Sequence, residues 1–276
     1  MATDEDELWS RVYARPGDLE VRAVLADALS ERGDPRGPFI ARQLAGDRSA
    51  PAPDVARAVL GDIAPALRVA SVEFENGFPV AGVMNAVTPS ATFTRPEWAT
   101  FRSLRGLQGF GPALTSLRRA TDVSFFALDE LIRHRWVLPL RELGINGTSA
   151  SQVAELPCEL ESLIIEHAIV SEDFELGYLF EPLREVRSLT RLRIEAPSFL
   201  GPSGLSREPI ARWPKWSADV PPSLRTIEWQ LHAGLLRLSS VEARFDTLTL
   251  EGEGNEATLR ALGTPARHFV VEPRAQ

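Results

Sequence analysis

One short pattern recurs through most of this chain and constrains its fold more than any other feature. Leu140-Arg-Glu-Leu143-Gly-Ile145 returns as Leu160-Glu-Ser-Leu163-Ile-Ile165, then as Leu189-Thr-Arg-Leu192-Arg-Ile194. Two further copies are Leu224-Arg-Thr-Ile227-Glu-Trp229 and Phe245-Asp-Thr-Leu248-Thr-Leu250. Weaker ones stand at Ala120, Val123, Phe125 and at Ala266, Phe269, Val271. Each copy is an apolar residue, two mostly polar ones, then two apolar residues spaced by one. That final spacing is the period of a short strand buried on one face. The copies begin at 120, 140, 160, 189, 224, 245 and 266, in steps of 20, 20, 29, 35, 21 and 21 residues.

A recurring step of about 20–29 residues with this pattern resembles a leucine-rich-repeat solenoid. The expected fold is therefore an α/β, leucine-rich-repeat-like solenoid over residues 69–276, each unit a strand followed by a short helix or turn. Ser151 is expected to cap one such turn (Val153, Ala154, Leu156), and Asn255 another (Leu259, Leu262). Helices are also expected over Glu97 to Leu107 and Ala127 to Trp136. The alternation from Val69 to Val87 around Asn76-Gly77 reads as a hairpin shielding the first edge of the array. The two long steps flank the Arg191–Arg193 strand. The second contains an insertion at 197–223 that carries Trp213, Trp216 and a run of prolines. The two tryptophans either present a binding surface or fold back over the scaffold.

The first 45 residues read as a separate helical cap. Asp4 with Glu7 forms a capping box ahead of Leu8, Trp9 and Val12. Asp18 caps a second helix with an apolar stripe at Val21, Val24, Leu25, Ala28 and Leu29, which Gly33 ends. Pro38 opens a third through Phe39, Ile40 and Leu44. Residues 46–68 are a linker and a helix capped by Asp54. Asp27 and Glu31, at i and i+4, repel unless Arg32 or Arg36 folds back between them.

Arg15-Pro-Gly-Asp-Leu19, Val24-Leu-Ala-Asp-Ala-Leu-Ser-Glu-Arg-Gly-Asp-Pro-Arg-Gly-Pro-Phe-Ile40 and Gln43-Leu44 resemble the bacterial repeat-companion domain. Ala28 stands where that family usually has tryptophan. The family is a short N-terminal helical module placed ahead of degenerate leucine-rich-like repeats. The resemblance implies that arrangement for the whole chain, and implies no catalytic residue.

Composition bounds the function. A formal net charge of −8 argues against a general phosphate-backbone binder, so no nucleic-acid partner is expected. No apolar run reaches the ~18–20 residues that span a bilayer, so no membrane partner is expected. The acidic start Met-Ala-Thr-Asp-Glu-Asp-Glu lacks a secretory pattern, and the single Cys158 cannot form an internal disulfide. Both favour the cytoplasm. Lys215 is the lone lysine among 30 basic residues, a bias of GC-rich bacterial genomes.

The four histidines (His134, His167, His232 and His268) are scattered, which argues against a metal site. Cys158 with His167 makes no supported catalytic pair, and Gly106-Leu-Gln-Gly109-Phe-Gly111 is out of order for a dinucleotide loop. No catalytic residue, cofactor or metal is assigned.

The strand positions between the apolar anchors belong to one surface, expected to be concave. They are Asp122 and Ser124, Glu142 and Gly144, Ser162 and Ile164, Arg191 and Arg193, Thr226 and Glu228, then Thr247 and Thr249. Asn146, Glu166, Glu195, Gln230 and Glu251 extend it. From this surface, Glu142, Asn146, Glu166, Arg191, Arg193, Glu195, Glu228 and Gln230 are the candidate protein-binding residues, with Trp213 and Trp216 as the second choice. The expected function is non-catalytic binding of another protein, as a regulator or inhibitor of a partner enzyme. The alternatives are an enzyme with its site in the insertion, or a purely structural repeat protein.

Overall fold

The computed structural model describes residues 4–85, 90–166, 177–195, 220–231, 234–241, 244–252, 260 and 266–272. Among the described residues it is a mixed α/β chain with eleven strands, mostly parallel and not closed. It divides into two compact units, Met1–Leu140 and Arg141–Gln276.

The first unit opens with helices α1 (Asp4–Ala14), α2 (Leu19–Glu31), α3 (Arg36–Leu44) and α4 (Pro53–Leu60). Asp18 caps α2 as expected, its Oδ1 accepting from the backbone N–H groups of Glu20 and Val21. Gly33 (φ +72) ends α2 through a double closure. Its N–H donates to the Ser30 carbonyl, and the Asp34 N–H donates to that of Leu29. Three local expectations fail. Asp4 already lies inside α1, α3 starts at Arg36 rather than at Pro38, and α4 starts at Pro53 with no side-chain cap from Asp54. Val24 is half exposed, so the buried stripe of α2 narrows to Val21, Leu25, Ala26 and Leu29.

Strands β1 (Glu73–Glu75) and β2 (Phe78–Val83) pair antiparallel around Asn76 (φ 52) and Gly77 (φ 82). Two consecutive positive φ values define the hairpin turn that Asn-Gly favours. The hairpin enters the helical core. Phe78 is fully buried against Trp9, ring centroids 5.7 Å apart, and Phe74 meets Phe39 at 5.7 Å.

Strands β3 (Ser103–Arg105) and β4 (Arg119–Val123) continue in parallel from β2. The helix expected over Glu97 to Leu107 is instead a single 3-10 turn, Pro96–Thr100, followed by β3. Trp98, Phe101 and Leu104 are all buried, so the apolar spacing was right and the period was misread. Asp122 adopts a positive φ (53), which breaks strand alternation at the end of β4. Ser124 then caps α5 (Phe125–His134) by accepting from the Ala127 N–H. Asp122 is an exposed residue of β4, Ser124 lies beyond the strand, and Phe125 is half exposed rather than an anchor.

The second unit contains β5 (Glu142–Asn146), β6 (Ser162–Glu166), helix α6 (Gly177–Leu183), β7 (Arg191–Glu195) and β8 (Thr226–Leu231). Between β5 and β6 runs a 3-10 segment, Gly147–Glu155, longer than the turn expected from Ser151. β5 to β8 pair in parallel with the repeats aligned copy on copy. Leu143, Leu163, Leu192 and Ile227 form one row, and Ile145, Ile165, Ile194 and Trp229 the next. All eight are at most 4% exposed. Each large apolar side chain buried in these rows contributes about 1.5–3 kcal/mol.

The alternation of parallel strand and connection stops at β8. Strands β9 (Gly234–Val241) and β10 (Arg244–Gly252) follow as an antiparallel meander, and β11 (His268–Glu272) pairs parallel to β10. A whole strand, β9, therefore lies inside what had been one regular 21-residue step. Its signal was present in the alternation Leu236-Arg237-Leu238, with both leucines buried. Asn255 and the turn expected after it lie outside the described residues.

Candidate functional site

Strand register in the second unit assembles a polar face from residues that lie far apart in sequence. One row across the sheet reads Glu142, Ser162, Arg191, Thr226, Ser239. The neighbouring row reads Gly144, Ile164, Arg193, Glu228, Arg237, Thr249. Asn146 pairs with Glu166, and Glu195 with Gln230. Side chains alternate across a strand, so these positions share the face opposite the buried Leu and Ile rows.

Glu228 is the centre of this face and is only 2% exposed. Arg191 donates twice to its Oε2, from Nη2 at 2.6 Å and from Nε at 3.2 Å. Arg237 donates from Nε to Oε1 at 3.0 Å. Burial alone would raise the carboxyl's pKa. The hydrogen bonds from Arg191 and Arg237 outweigh that and hold it below its ordinary value. The carboxylate is therefore ionised at neutral pH, clamped on both oxygens by arginines that stay partly open to solvent.

Arg193 stands directly opposite Glu228 in register but turns elsewhere. Its Nη2 donates to the Gln230 side-chain oxygen at 3.3 Å. Its Nε lies 3.0 Å from Glu195 Oε1. That approach is an ion pair without a hydrogen bond's alignment. Arg191, Glu228 and Arg237 thus form one cluster, and Arg193, Glu195 and Gln230 form a second beside it on the same face. Arg237 was absent from the sequence-derived set because β9 was not recognised. Glu142, Asn146 and Glu166 lie on the same face over β5 and β6. Trp213 and Trp216 lie outside the described residues.

The face holds charges of both signs. Among the described residues, no group of three His, Cys, Asp or Glu side chains could hold a metal ion. No described helix is long and apolar enough to cross a membrane. Cys158 is partly buried, and burial, partly offset by Arg141, pushes its thiol up to about 11. His167 lies outside the described residues.

The charged part of the N-terminal module resolves differently from expectation. Arg36 pairs with Asp34 at 2.7 Å and Glu5 at 3.3 Å, and Arg32 pairs with Glu5 at 2.7 Å. Arg36 also lies over the Trp9 ring at 5.0 Å. Glu5, in α1, takes the role assigned to Asp27 and Glu31, both of which are exposed. The arginines therefore tie α1 to the α2–α3 turn.

Compared with protein-family models, curated proteins and solved structures, the chain gives no significant match.

Proposed function

We propose that this chain is a non-catalytic protein-binding scaffold, a leucine-rich-repeat-like solenoid with a repeat-companion-like helical cap. It works in the bacterial cytoplasm as a regulator or inhibitor of a partner enzyme. The observation that supports the reading most is the mixed-sign polar face of β5 to β9. Its side chains are held in register by a buried carboxylate and its flanking strands. Rigid strands lower the entropy lost when a partner docks. Partly solvated Arg191, Arg193 and Arg237 offer planar donors suited to carboxylates on a partner protein. The partner surface is accordingly expected to carry Asp or Glu near its centre and donors at its rim.

A second reading rests on Glu228 itself. A carboxylate that already engages Arg191 and Arg237 leaves less charge for a partner, and the cluster then serves only to hold β7, β8 and β9 together.

The two readings separate in one experiment. Tagged protein is used to capture partners from the native cytoplasm, in parallel with a variant carrying Asn146→Arg and Arg193→Ala. The hydrogen bonds that hold Glu228 come from Arg191 and Arg237, which the variant keeps, so folding is expected to be retained. Docking on this face predicts loss of a stoichiometric partner with an unchanged thermal melt. Equal recovery of that partner by the variant would reject the face as the binding surface.

A further inference from the structure

The first unit contains a cavity of about 420 Å³ beside the hairpin turn, walled by α2, β1, β2 and the segment before β4. Three arginines line it, Arg22, Arg102 and Arg118, against one carboxylate, Glu75. Formal charge in the wall is therefore +3 − 1 = +2, in a chain whose net charge is −8.

Arg22 is the unusual member. It is 5% exposed, and its contacts are backbone carbonyls rather than a carboxylate. Nη1 donates to Glu75 O at 3.1 Å and Asn76 O at 3.2 Å, and Nη2 donates to Pro16 O. Its Nε is buried without a hydrogen-bond partner, and the guanidinium lies 4.6 Å from the Phe78 ring centre. Buried charges are ordinarily paired, because carbonyl dipoles and a ring face replace only part of the lost hydration. Glu75 does not close the account, since it is ion-paired with Arg102. Burial lowers the Arg22 pKa to about 10, as expected of a cation short of a counter-charge, and Glu75 opposes that shift only in part. Arg118 is exposed and has no ion-pair partner among the described residues. Ser116 adds a hydroxyl to the same wall, and Leu19, half exposed, gives it an apolar edge.

We propose that this cavity is a binding site for a small phosphate monoester. The phosphate dianion would sit against Arg118 and Ser116 in the field of Arg22, with its organic group along Leu19. Charge selects the dianion: the wall carries +2, and a phosphate monoester carries close to −2 above its second pKa of about 6. Arginine favours such groups through paired donors in a plane. The cavity size falls in the range of small-ligand sites, about 300–1,000 Å³. The site lies wholly in the first unit and does not depend on the polar face of the second.

Titration calorimetry of the full chain with phenyl phosphate, at fixed ionic strength and pH 7.5, tests this. Saturable binding is expected, with inorganic phosphate competing. Phenyl sulfate, a monoanion of similar shape, should bind at least fivefold more weakly. Arg118→Ala should weaken phenyl phosphate at least tenfold while leaving the melting temperature unchanged, because Arg118 is exposed. Arg133→Ala, outside the cavity, should bind as the native chain does. Three results would overturn the site: no saturation up to about 10 mM, equal binding of the sulfate, or an Arg118→Ala variant that binds normally.

Discussion

Removing both guanidinium groups from Glu228 tests the account of the polar face most directly. In Arg191→Ala with Arg237→Ala, a carboxylate that is 2% exposed loses the hydrogen bonds on both of its oxygens. Orphaning a buried charge costs about 3–5 kcal/mol. Arg193 lies opposite Glu228 in register and can swing onto the freed carboxylate, so a value near ~3 kcal/mol is expected. Each single variant keeps one charged partner. Arg191 and Arg237 side chains are 48% and 36% exposed, so their pairs are discounted for solvent screening. Each single change should then cost about 1 kcal/mol, and the double change should exceed the sum.

Adding Glu228→Leu to the double variant should recover most of the loss, since an apolar group of similar size no longer needs a counter-charge. Urea unfolding followed by circular dichroism at pH 7 gives all four values. The pH dependence provides a further check. The Glu228 carboxyl is held below its ordinary pKa in the folded chain. As pH falls, the unfolded chain therefore takes up the proton first. The stability from the cluster is full above the unfolded carboxyl value and is lost as pH falls through the folded one. The native chain and the double variant should converge in acid. A double variant costing under about 1 kcal/mol at pH 7, or one that Glu228→Leu fails to rescue, would refute the buried-charge account.

Two further outcomes concern other parts of the chain. Gly77→Ala should destabilise the first unit by at least about 2 kcal/mol in thermal or urea unfolding. Its φ is +82, and an added Cβ would stand 2.7 Å from Ile40 Cγ1 and 2.8 Å from Ile40 Cα. A neutral result would mean that the turn relaxes away from α3. The Cys158 thiol, raised to about 11 by burial, should react slowly with a disulfide reagent at pH 8 and rapidly once urea is added. Equal rates in the two conditions would contradict its burial.

Sequence alone was enough to place most strands of the second unit and to align them. Each repeat places two apolar residues one apart, and only one register buries all of them, so Leu143, Leu163, Leu192 and Ile227 had to stack. Asn76-Gly77 likewise determined its turn, because few residue pairs accept two successive positive φ values. Tertiary structure decided what local pattern could not. The β8–β9–β10 reversal hid inside a 21-residue step, since an antiparallel pair and a strand-plus-connection can share that length. Arg191 and Arg193 have the same pattern in sequence, yet Arg191 clamps Glu228 while Arg193 turns to Gln230 and Glu195. Arg22 reads as an ordinary polar residue of α2. Only the arrival of the hairpin, 53 residues later in sequence, buries its charge and gives it carbonyls in place of water. Periodicity is a local property that burial of one face reads out directly. The partner of a charge depends on which strands become neighbours, as Arg191 and Glu228 show, 37 residues apart in sequence.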